Sequence, residues 1–315
     1  MFESANRKPP SRLTRLTELL RPGARPAGGP QHAEEEPADW TLVPGLRERW
    51  NKLVTGDAKL APRQWLAESF LGDRIRLVAL SVGCGTGERE RAWARTGQFQ
   101  RLDAIDLREA LVRRAKGRAS LEGLDAVLHS HAVDLLSFGE PRSYDVVIAE
   151  NTISHYAPMG RTLGRVFKLL KPGGLFFLDA YVGPSRYRWT EEQAAATAEL
   201  LAQLPERYRE RRSNGEVKTG VHKPTLLTEK LRDPYMARES ARIMPILEKG
   251  FEVLVIRGYG GAVLHPLFDD IAHHFVPEDR KAKLLIDGCV AFEDERLASG
   301  SLPHDFVVVA ARKRP

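Results

Sequence analysis

The stretch "LSVGCGTGERE" at residues 80–90 decides the fold. An apolar run at 76–82 leads into three glycines at positions 83, 85 and 87, and a helical pattern follows near residues 87–95. Glycines at a strand-to-helix turn let the backbone bend sharply and approach a ligand closely. The stretch therefore predicts a turn that cradles a nucleotide-like cofactor.

Strand-like and helical patterns alternate around this turn, which predicts an α/β fold with helices on both faces of a parallel sheet. Helical patterns at 46–54 and 62–71 lead into the sheet, and others follow at 108–119 and 160–170. Two late Val-rich runs are expected to complete the sheet, with the last strand at an edge or inserted antiparallel. The strand-like runs are 76–82, 102–107, 126–133, 144–150, 174–181, 251–259 and 304–313.

The residues near the turn discriminate between cofactors. A dinucleotide-binding turn needs a third glycine three residues after the second, and Glu88 occupies that position. Its charge would repel a pyrophosphate, which disfavours NAD. A cofactor with a ribose and a cationic sulfonium suits the turn better. Asp106 ends the next strand and can accept both ribose hydroxyls; the alternative is that it caps the helix that begins near Arg108.

Five segments in order and spacing extend this pattern: "LSVGCGTGERE", "AIDL", "HAVDLLSF", "YDVVIAENTISHY" and "LKPGGLFFLDAYVGP". Over residues 76–182 they resemble class I S-adenosylmethionine (SAM)-dependent methyltransferases. The resemblance implies a Rossmann-like α/β fold, a seven-stranded and mostly parallel sheet with a reversed last strand, and SAM as cofactor. The cofactor-binding residues that it implies are Ser81, Gly83, Gly85, Gly87, Asp106, Leu107, Asp134, Leu135, Glu150 and Asn151.

The resemblance also assigns parts of SAM to these residues. The loop at 83–87, with Glu150 and Asn151, is expected at the methionyl part, and Asp106 at the ribose. Asp134 and Leu135 are expected at the adenine. A carboxylate at 134 can accept a hydrogen bond from the adenine amino group, and the alternative is a plain turn residue.

A narrower likeness concerns "DAYVGPSRYRWTEEQ" (179–193), "LPERYR" (204–209) and "RDPYMARESARIMPIL" (232–247). These segments resemble a bacterial methyltransferase subgroup associated with sugar and polysaccharide modification. The chain departs from that subgroup at Ala180, where an acid is usual, and at Arg188, where Gln is usual. The resemblance implies methylation of a hydroxyl on a sugar or glycan. The alternatives are a methyltransferase of another small metabolite, with an O or N acceptor, and a SAM-binding protein without catalysis.

A hydroxyl acceptor must lose a proton, so a base within hydrogen-bond reach is expected. His155 follows the fourth strand, and its imidazole titrates near neutral pH; the alternative is a histidine that caps the next helix. Asp179 at the end of the fifth strand is the second candidate, against a role in the turn. Tyr156 and Tyr181 are expected to shape the acceptor pocket rather than to act as bases.

The segment after the fifth strand is the expected acceptor wall. Tyr181 and Trp189 offer flat apolar faces, and Arg186 offers a forked donor for carboxylate or phosphate. Alternatively, Thr190 and Gln193 form a capping box, and Trp189 packs against the start of that helix. Helical insertions at about 184–250 and 260–300 are expected to form lids over the acceptor.

Composition sets the remaining expectations. Residues 1–42 are rich in Pro, Gly and Arg and predict a disordered tail before a domain at 43–315. The net charge of +6 is scattered, which disfavours a nucleic-acid module. Two cysteines are too few for a disulfide framework, and the histidine spacing predicts no metal. Without a signal peptide or a long apolar run, cytoplasmic residence without membrane insertion is expected.

Overall fold

The computed structural model describes residues 40–221 and 237–314. Its centre is a seven-stranded sheet with the spatial order β3-β2-β1-β4-β5-β7-β6. The strands are β1 Leu77–Val82, β2 Phe99–Asp106, β3 Leu128–Ala132, β4 Tyr144–Glu150, β5 Leu170–Tyr181, β6 Phe251–Gly258 and β7 Phe306–Lys313.

Strand directions confirm the predicted fold. Strands β3, β2, β1, β4 and β5 pair in parallel, whereas β7 is antiparallel to both β5 and β6. The last strand is therefore inserted between β5 and β6 and does not lie at the edge. The strand order reverses between β1 and β4, and ligands of open α/β sheets bind in the crevice at such a point. The carboxyl ends of β1, β2, β4 and β5 meet at that edge.

Strands β1, β4 and β7 are buried on both faces, as their continuous apolar runs require. Successive side chains of a strand point to opposite faces, and the core accordingly divides into two clusters. One cluster contains Ala79, Phe177 and Val308, and the other contains their neighbours Leu80, Phe176 and Val309. Helices must therefore cover both faces.

The helices begin and end close to the predicted bounds. Pro62 opens α2 at its first helical position, and Thr190 and Gln193 form the expected capping box of α6. A π-helical turn at Ala67–Leu71 continues α2. The helices are α1 Leu46–Thr55, α2 Pro62–Leu66, α3 Glu88–Ala94, α4 Glu109–Leu121, α5 Met159–Leu169, α6 Glu191–Gln203, α7 Ile243–Gly250, α8 Leu264–Phe268 and α9 Arg280–Ala298.

The boundary of the predicted tail lies too far along the chain. Trp40, inside the expected tail, is 6% exposed and begins a 3-10 turn that ends at Leu42. Its ring packs against Trp50 and Phe306 at centroid distances of 4.8 and 5.1 Å. Burial of an indole outweighs the entropy of ordering one short turn. Residues 1–39 of the expected tail lie outside the described residues.

A buried ion pair fixes α1 to the carboxyl-terminal half of the chain. Nη2 of Arg49 donates to Oε2 of Glu293 at 2.8 Å, and Glu293 is fully buried. The other carboxylate oxygen accepts the backbone N–H groups of Gly261, Val263 and Leu264 at 2.9–3.0 Å. Because each of these donors satisfies the buried charge, α1 is held at a fixed position beside the carboxyl edge of the sheet.

The two expected lid insertions differ in their packing. The insertion at 184–250 contains α6 and α7, and its residues 222–236 lie outside the described residues. The insertion at 260–300 contains α8 and α9, and Leu264, Leu267 and Phe268 are fully buried in the main core. The α8 part of that segment therefore packs into the core.

Within residues 40–221 and 237–314, no helix is both long and apolar enough to cross a membrane. The same part of the chain contains no group of three or more His, Cys, Asp or Glu side chains that could hold a metal ion.

Candidate functional site

The glycine turn connects β1 to α3, and all three of its glycines have left-handed backbone angles. A Cβ at Gly83 would lie 2.6 Å from Cγ2 of Thr152, and one at Gly87 would lie 2.9 Å from Cβ of Ala115. At Gly85, no described atom lies within 4 Å of the corresponding position. Two glycines therefore pack the turn against the fold, and Gly85 borders space that a ligand can enter.

Asp106 ends β2 beside this turn, and its carboxylate accepts four hydrogen bonds. Backbone N–H groups donate from Gly85 to Oδ2 and from Arg108 to Oδ1, both at 2.9 Å. The guanidinium of Arg108 adds one bond to each oxygen at 3.0 Å. Burial opposes ionisation, but Arg108 and the backbone donors outweigh it and hold the pKa of Asp106 below its ordinary value. Helix α4 has Arg108 at its N-cap position, so Asp106 ties the turn to β2 rather than capping that helix.

Asp134 and Tyr156 lie near Asp106. Asp134 follows β3, accepts a backbone N–H at 2.7 Å and starts a 3-10 turn in which Leu135 is fully buried. Burial, and then the charges of Asp106 and Asp134, raise the pKa of Tyr156. Tyr156 was expected to shape the acceptor pocket, yet it lies beside the expected ribose and adenine residues. Leu107, 55% exposed, completes this side.

Glu150 ends β4 and is held by three other side chains. Arg63 of α2 donates to both carboxylate oxygens at 3.1 and 2.7 Å, and Nε1 of Trp93 donates to Oε1 at 2.6 Å. Arg89 of α3 donates to the backbone oxygen of Glu150 at 2.7 Å. A carboxylate fixed in this way anchors α2 and α3 over the end of β4, at the expected methionyl end of the cofactor.

Ser81 lies in β1, and its side chain is buried behind the glycine turn. Its hydroxyl donates to Oε1 of Glu90 at 2.7 Å. Glu90 belongs to the first turn of α3 and is 3% exposed. Burial raises the pKa of Glu90 to about 7, against the effect of the Ser81 hydrogen bond. Cys84 lies in the glycine turn itself. Burial raises the pKa of its thiol, which agrees with a packing role for that side chain.

Asp179 lies two residues before the end of β5, and its register partner on β4 is Glu150. The hydroxyl of Tyr259, directly after β6, donates to Oδ1 of Asp179 at 2.6 Å. Burial raises the pKa of Asp179 to about 6; Glu150 raises it further, and the Tyr259 hydrogen bond lowers it. The backbone oxygen of Asp179 accepts the N–H of Asn151 at 2.7 Å, and Asn151 has a left-handed φ of +52°.

A cavity of about 290 Å³ lies over this edge of the sheet. Asp179 and Tyr259 line it together with Glu150 and Asn151. Helices α1 and α2 form its opposite wall. Side chains that also line it are Trp40, Arg47, Trp50, Arg63, Arg89 and Phe306.

His155 lies in the 3-10 turn Ile153–His155 directly after β4 and is partly buried. The alternative expectation was that it caps the following helix. The amino terminus of that helix, α5, is bound instead by Glu239, whose Oε2 accepts the N–H of Met159 at 2.6 Å. His155 therefore stays a candidate base at the same sheet edge as Asp179.

The expected acceptor wall is largely buried. Tyr181 is 3% exposed, donates its hydroxyl to the backbone of Pro184 at 3.0 Å, and packs on Tyr187. Trp189 is also buried and stacks on Tyr187 at 5.9 Å. Phe306 of β7 packs on Tyr181 at 5.2 Å, and His265 of α8 contacts the rings of both Tyr181 and Trp189. Arg186 has a left-handed φ of +59°, and its backbone N–H donates to the backbone oxygen of Ala237 at 2.5 Å. The aromatic residues that line the cavity are instead Trp40, Trp50, Tyr259 and Phe306.

Residues 80–176, from the end of β1 into β5, match the model of a family described as a methyltransferase domain. The ubiquinone biosynthesis O-methyltransferase of Caulobacter vibrioides is 34% identical over 102 residues, 32% of this chain and 40% of that protein. Phthiotriol/phenolphthiotriol dimycocerosates methyltransferase 1 of Mycobacterium ulcerans is 30% identical over 145 residues, 46% of this chain and 50% of that protein. The chain thus spans half or less of these relatives.

Among solved structures, phosphoethanolamine N-methyltransferase 2 of Haemonchus contortus matches 85% of this chain and 57% of its own, with a TM-score of 0.50 and 19% identity. The fold is that of a class I methyltransferase. The family match and the methyltransferase relatives also support SAM as cofactor. The expected association with sugar or polysaccharide modification has no support among them.

Sequence reasoning missed several residues of this candidate site. Arg63, Trp50 and Tyr259 lie far from the glycine turn in sequence, and only tertiary packing brings them to it. Glu90 lies seven residues after Gly83, and this spacing alone could have predicted that its side chain is buried. On a helix that starts at Glu88, the third position points back towards the preceding strand, and a carboxylate there is buried rather than solvated.

Proposed function

We propose that this protein transfers the methyl group of SAM to an oxygen atom of a small molecule, with Asp179 as the base that receives the acceptor proton. One observation carries the proposal. Asp179 lies in an aromatic-lined cavity whose wall includes Glu150 and Asn151, the residues expected at the methionyl end of the cofactor. A base, an acceptor space and the reactive end of the cofactor then share one site.

The residues present fit the cofactor. The space beside Gly85 admits a ligand close to the backbone. The backbone N–H groups of Gly85 and Arg108 would stay bound to Asp106. Two ribose hydroxyls would replace the two hydrogen bonds that the Arg108 guanidinium donates to the same carboxylate. When bound, SAM supplies a methyl group on a cationic sulfur, open to in-line attack. The glycine turn, Glu150 and Asn151 would hold its methionyl part, and Leu107, Asp134, Leu135 and Tyr156 would surround the nucleoside.

Asp179 is suited to proton removal at neutral pH. With a pKa of about 6 it is mostly ionised at pH 7, and it is more basic than an ordinary carboxylate. Tyr259 holds Oδ1, which orients the carboxylate and directs Oδ2 towards the acceptor hydroxyl. His155 is the alternative base, since it follows the neighbouring strand at the same edge.

The cavity favours an acceptor with a ring. Trp40, Trp50, Tyr259 and Phe306 present apolar faces, and a volume of about 290 Å³ admits only a compact group. Arg47 adds a cation to the lining. The relatives named above act, by name, in ubiquinone biosynthesis and on phthiotriol dimycocerosates, which fits a ring or lipid-like metabolite. A sugar hydroxyl is the second candidate, because sugar rings also stack on exposed indole faces.

Calorimetric titration with SAM, its product S-adenosylhomocysteine and NAD tests the cofactor. We expect SAM and its product to bind and NAD not to bind. Asp106→Ala should lose at least about 100-fold in affinity, since two charge-assisted hydrogen bonds are each worth about 1.5–3 kcal/mol. Asp125→Ala, at an exposed site just before β3, is the matched control. Folded protein that binds neither SAM nor its product would exclude the proposal.

Transfer of a labelled methyl group from SAM tests the reaction. The acceptor panel should contain phenols and catechols, with and without a carboxylate, beside sugars and short glycans. Methylation of a ring hydroxyl is the expected result. Methylation of sugars alone would select the second candidate, methylation of amines would reject the oxygen acceptor, and binding without transfer to any class would indicate a non-catalytic SAM-binding protein.

A further inference from the structure

We propose that Glu90 is a cofactor-binding residue and that its carboxylate accepts the ammonium group at the amino-acid end of SAM. This inference rests on the proposed function and extends it to a residue that neither the sequence pattern nor the family match assigns.

Glu90 has an unsatisfied oxygen in a buried place. The residue is 3% exposed, and Ser81 engages Oε1 at 2.7 Å. Oε2 is buried without a hydrogen-bond partner among the described residues. Buried carboxylate oxygens are almost always paired, and leaving one unpaired costs about 1–3 kcal/mol. The site is therefore built for a donor that the folded chain does not itself supply.

The neighbouring cations are already engaged elsewhere. Arg63 gives two hydrogen bonds to the carboxylate of Glu150, and Arg89 donates to the backbone of Glu150. The charged and titratable groups that face Glu90 are Glu150 on β4, Arg63 on α2, Arg89 on its own helix and the Cys84 thiol in the turn. Three carboxylates, with Asp179 included, face two guanidinium groups. One added positive charge completes the balance.

The position agrees with the chemistry of the ligand. Glu90 lies directly behind the glycine turn, held by the strand residue that precedes that turn by two positions. The expected methionyl end of SAM lies between this turn and Glu150, and its amino acid carries one primary ammonium. An ammonium donates up to three hydrogen bonds and pairs strongly with a desolvated carboxylate.

Titrations with two ligands separate this role from a structural one. S-adenosylhomocysteine carries the ammonium, whereas 5′-methylthioadenosine has the same nucleoside and thioether without the amino acid. We expect Glu90→Gln to weaken S-adenosylhomocysteine about 10- to 100-fold, the range for a lost charge-assisted hydrogen bond. The affinity for 5′-methylthioadenosine should change less than about twofold. Glu88→Gln, at an exposed position of the same helix, should alter neither.

A second variant covers the case in which Glu90→Gln folds poorly. Ser81→Ala frees the carboxylate to rotate and should weaken S-adenosylhomocysteine by about 3- to 10-fold, again without effect on 5′-methylthioadenosine. Circular dichroism and thermal melting establish that each variant is folded. Folded Glu90→Gln protein with wild-type affinity for S-adenosylhomocysteine, or with an equal loss for both ligands, would overturn the proposal. Wild-type protein that binds neither ligand would overturn the proposed function as well.

The pH dependence gives an independent readout. Protonation of Glu90 removes the charge that the ammonium contacts, so affinity for S-adenosylhomocysteine should fall as the pH is lowered through about 7. The fall should be absent in Glu90→Gln and should persist in Glu88→Gln. An unchanged pH profile in folded Glu90→Gln protein would place the titration on another group and contradict the proposal.

Discussion

The proposed cofactor edge, formed by the ends of β1, β2 and β4, and the proposed acceptor cavity over the ends of β4 and β5 are neighbours in space, yet they are assembled in different ways. The cofactor edge uses the ends of β1, β2 and β4, so its residues follow one another at short and regular intervals between 81 and 151. The cavity joins Trp40 and Arg63 to Asp179, Tyr259 and Phe306. A local pattern can specify the first region, whereas the second exists only when distant segments pack together.

Their electrostatics differ in the same way. At the cofactor edge, Asp106 is ionised and fully hydrogen-bonded, which lowers its pKa. In the cavity, burial and the nearby Glu150 raise the pKa of Asp179 to about 6. A carboxylate that only binds is best kept charged, and one that must take a proton is best kept near neutrality. The contrast fits the proposed division between a region that binds the cofactor and one that removes the acceptor proton.

The largest expected effect tests the chemical region. Asp179→Asn should lower kcat by about 10²–10⁴-fold, the usual contribution of a general base. Affinity for SAM should stay within about twofold, because the substitution removes no group from the cofactor edge. Methyl-transfer kinetics and calorimetry measure the two quantities. Equal losses in kcat and in SAM affinity would show that Asp179 also contributes to cofactor binding, so that the two regions are not separate.

The pH profile sharpens that test. Because the base acts when ionised, log kcat/KM for the wild type should rise with pH up to about 6 and then level off. Tyr259→Phe removes a hydrogen bond that lowers the pKa of Asp179, so the rise should move to higher pH. The other charged groups around Asp179 are Glu150, Arg89 and Arg63. If Asp179→Asn keeps the wild-type profile, Asp179 is not the base, and His155 becomes the candidate that receives the acceptor proton.

An intermediate effect tests the packing of the cofactor edge. Gly83→Ala introduces a Cβ 2.6 Å from Thr152 at a φ of +75°. The strain costs about 1–2 kcal/mol and the overpacking about 1–3 kcal/mol, so SAM affinity should fall by about 30-fold or more. Titration and thermal melting measure both effects. Gly117→Ala, in open space within α4, is the control and should leave SAM binding unchanged. Unaltered affinity in Gly83→Ala would mean that the turn does not contact the cofactor.

The smallest expected effect concerns Arg108, which occupies the face of Asp106 that ribose hydroxyls would need. Its side chain is 67% exposed, and such ion pairs are worth about 0–1 kcal/mol. Arg108→Ala should therefore raise SAM affinity by about two- to fivefold, less at high salt. Arg113→Ala, which breaks an exposed pair with Glu109 on the same helix, is the control. Weaker SAM binding in Arg108→Ala would show that Arg108 itself contacts the cofactor.

Much of the fold could be predicted because its signals are local. The alternation of apolar runs and helical patterns predicted the ends of β1, β4 and β5 to within a few residues. The capping box of Thr190 and Gln193 predicted the start of α6. For Tyr181 and Trp189 the sequence left an acceptor wall and a packed interior as alternatives, because a Trp or Tyr has the same local pattern in both settings. Both rings pack against His265 of α8, and Tyr181 also packs against Phe306 of β7, far along the chain.

The sequence by itself determined the methyltransferase sheet and the glycine turn, since strand period, helix period and glycine backbone freedom act within a few residues. Only the tertiary structure decided which carboxylates have a raised pKa and which are paired with a cation. Arg63 reaches Glu150, Tyr259 reaches Asp179, and Glu90 keeps an unpaired oxygen only because segments far apart in the chain exclude water together. Desolvation and charge pairing depend on three-dimensional distance, and no spacing along the chain encodes that distance.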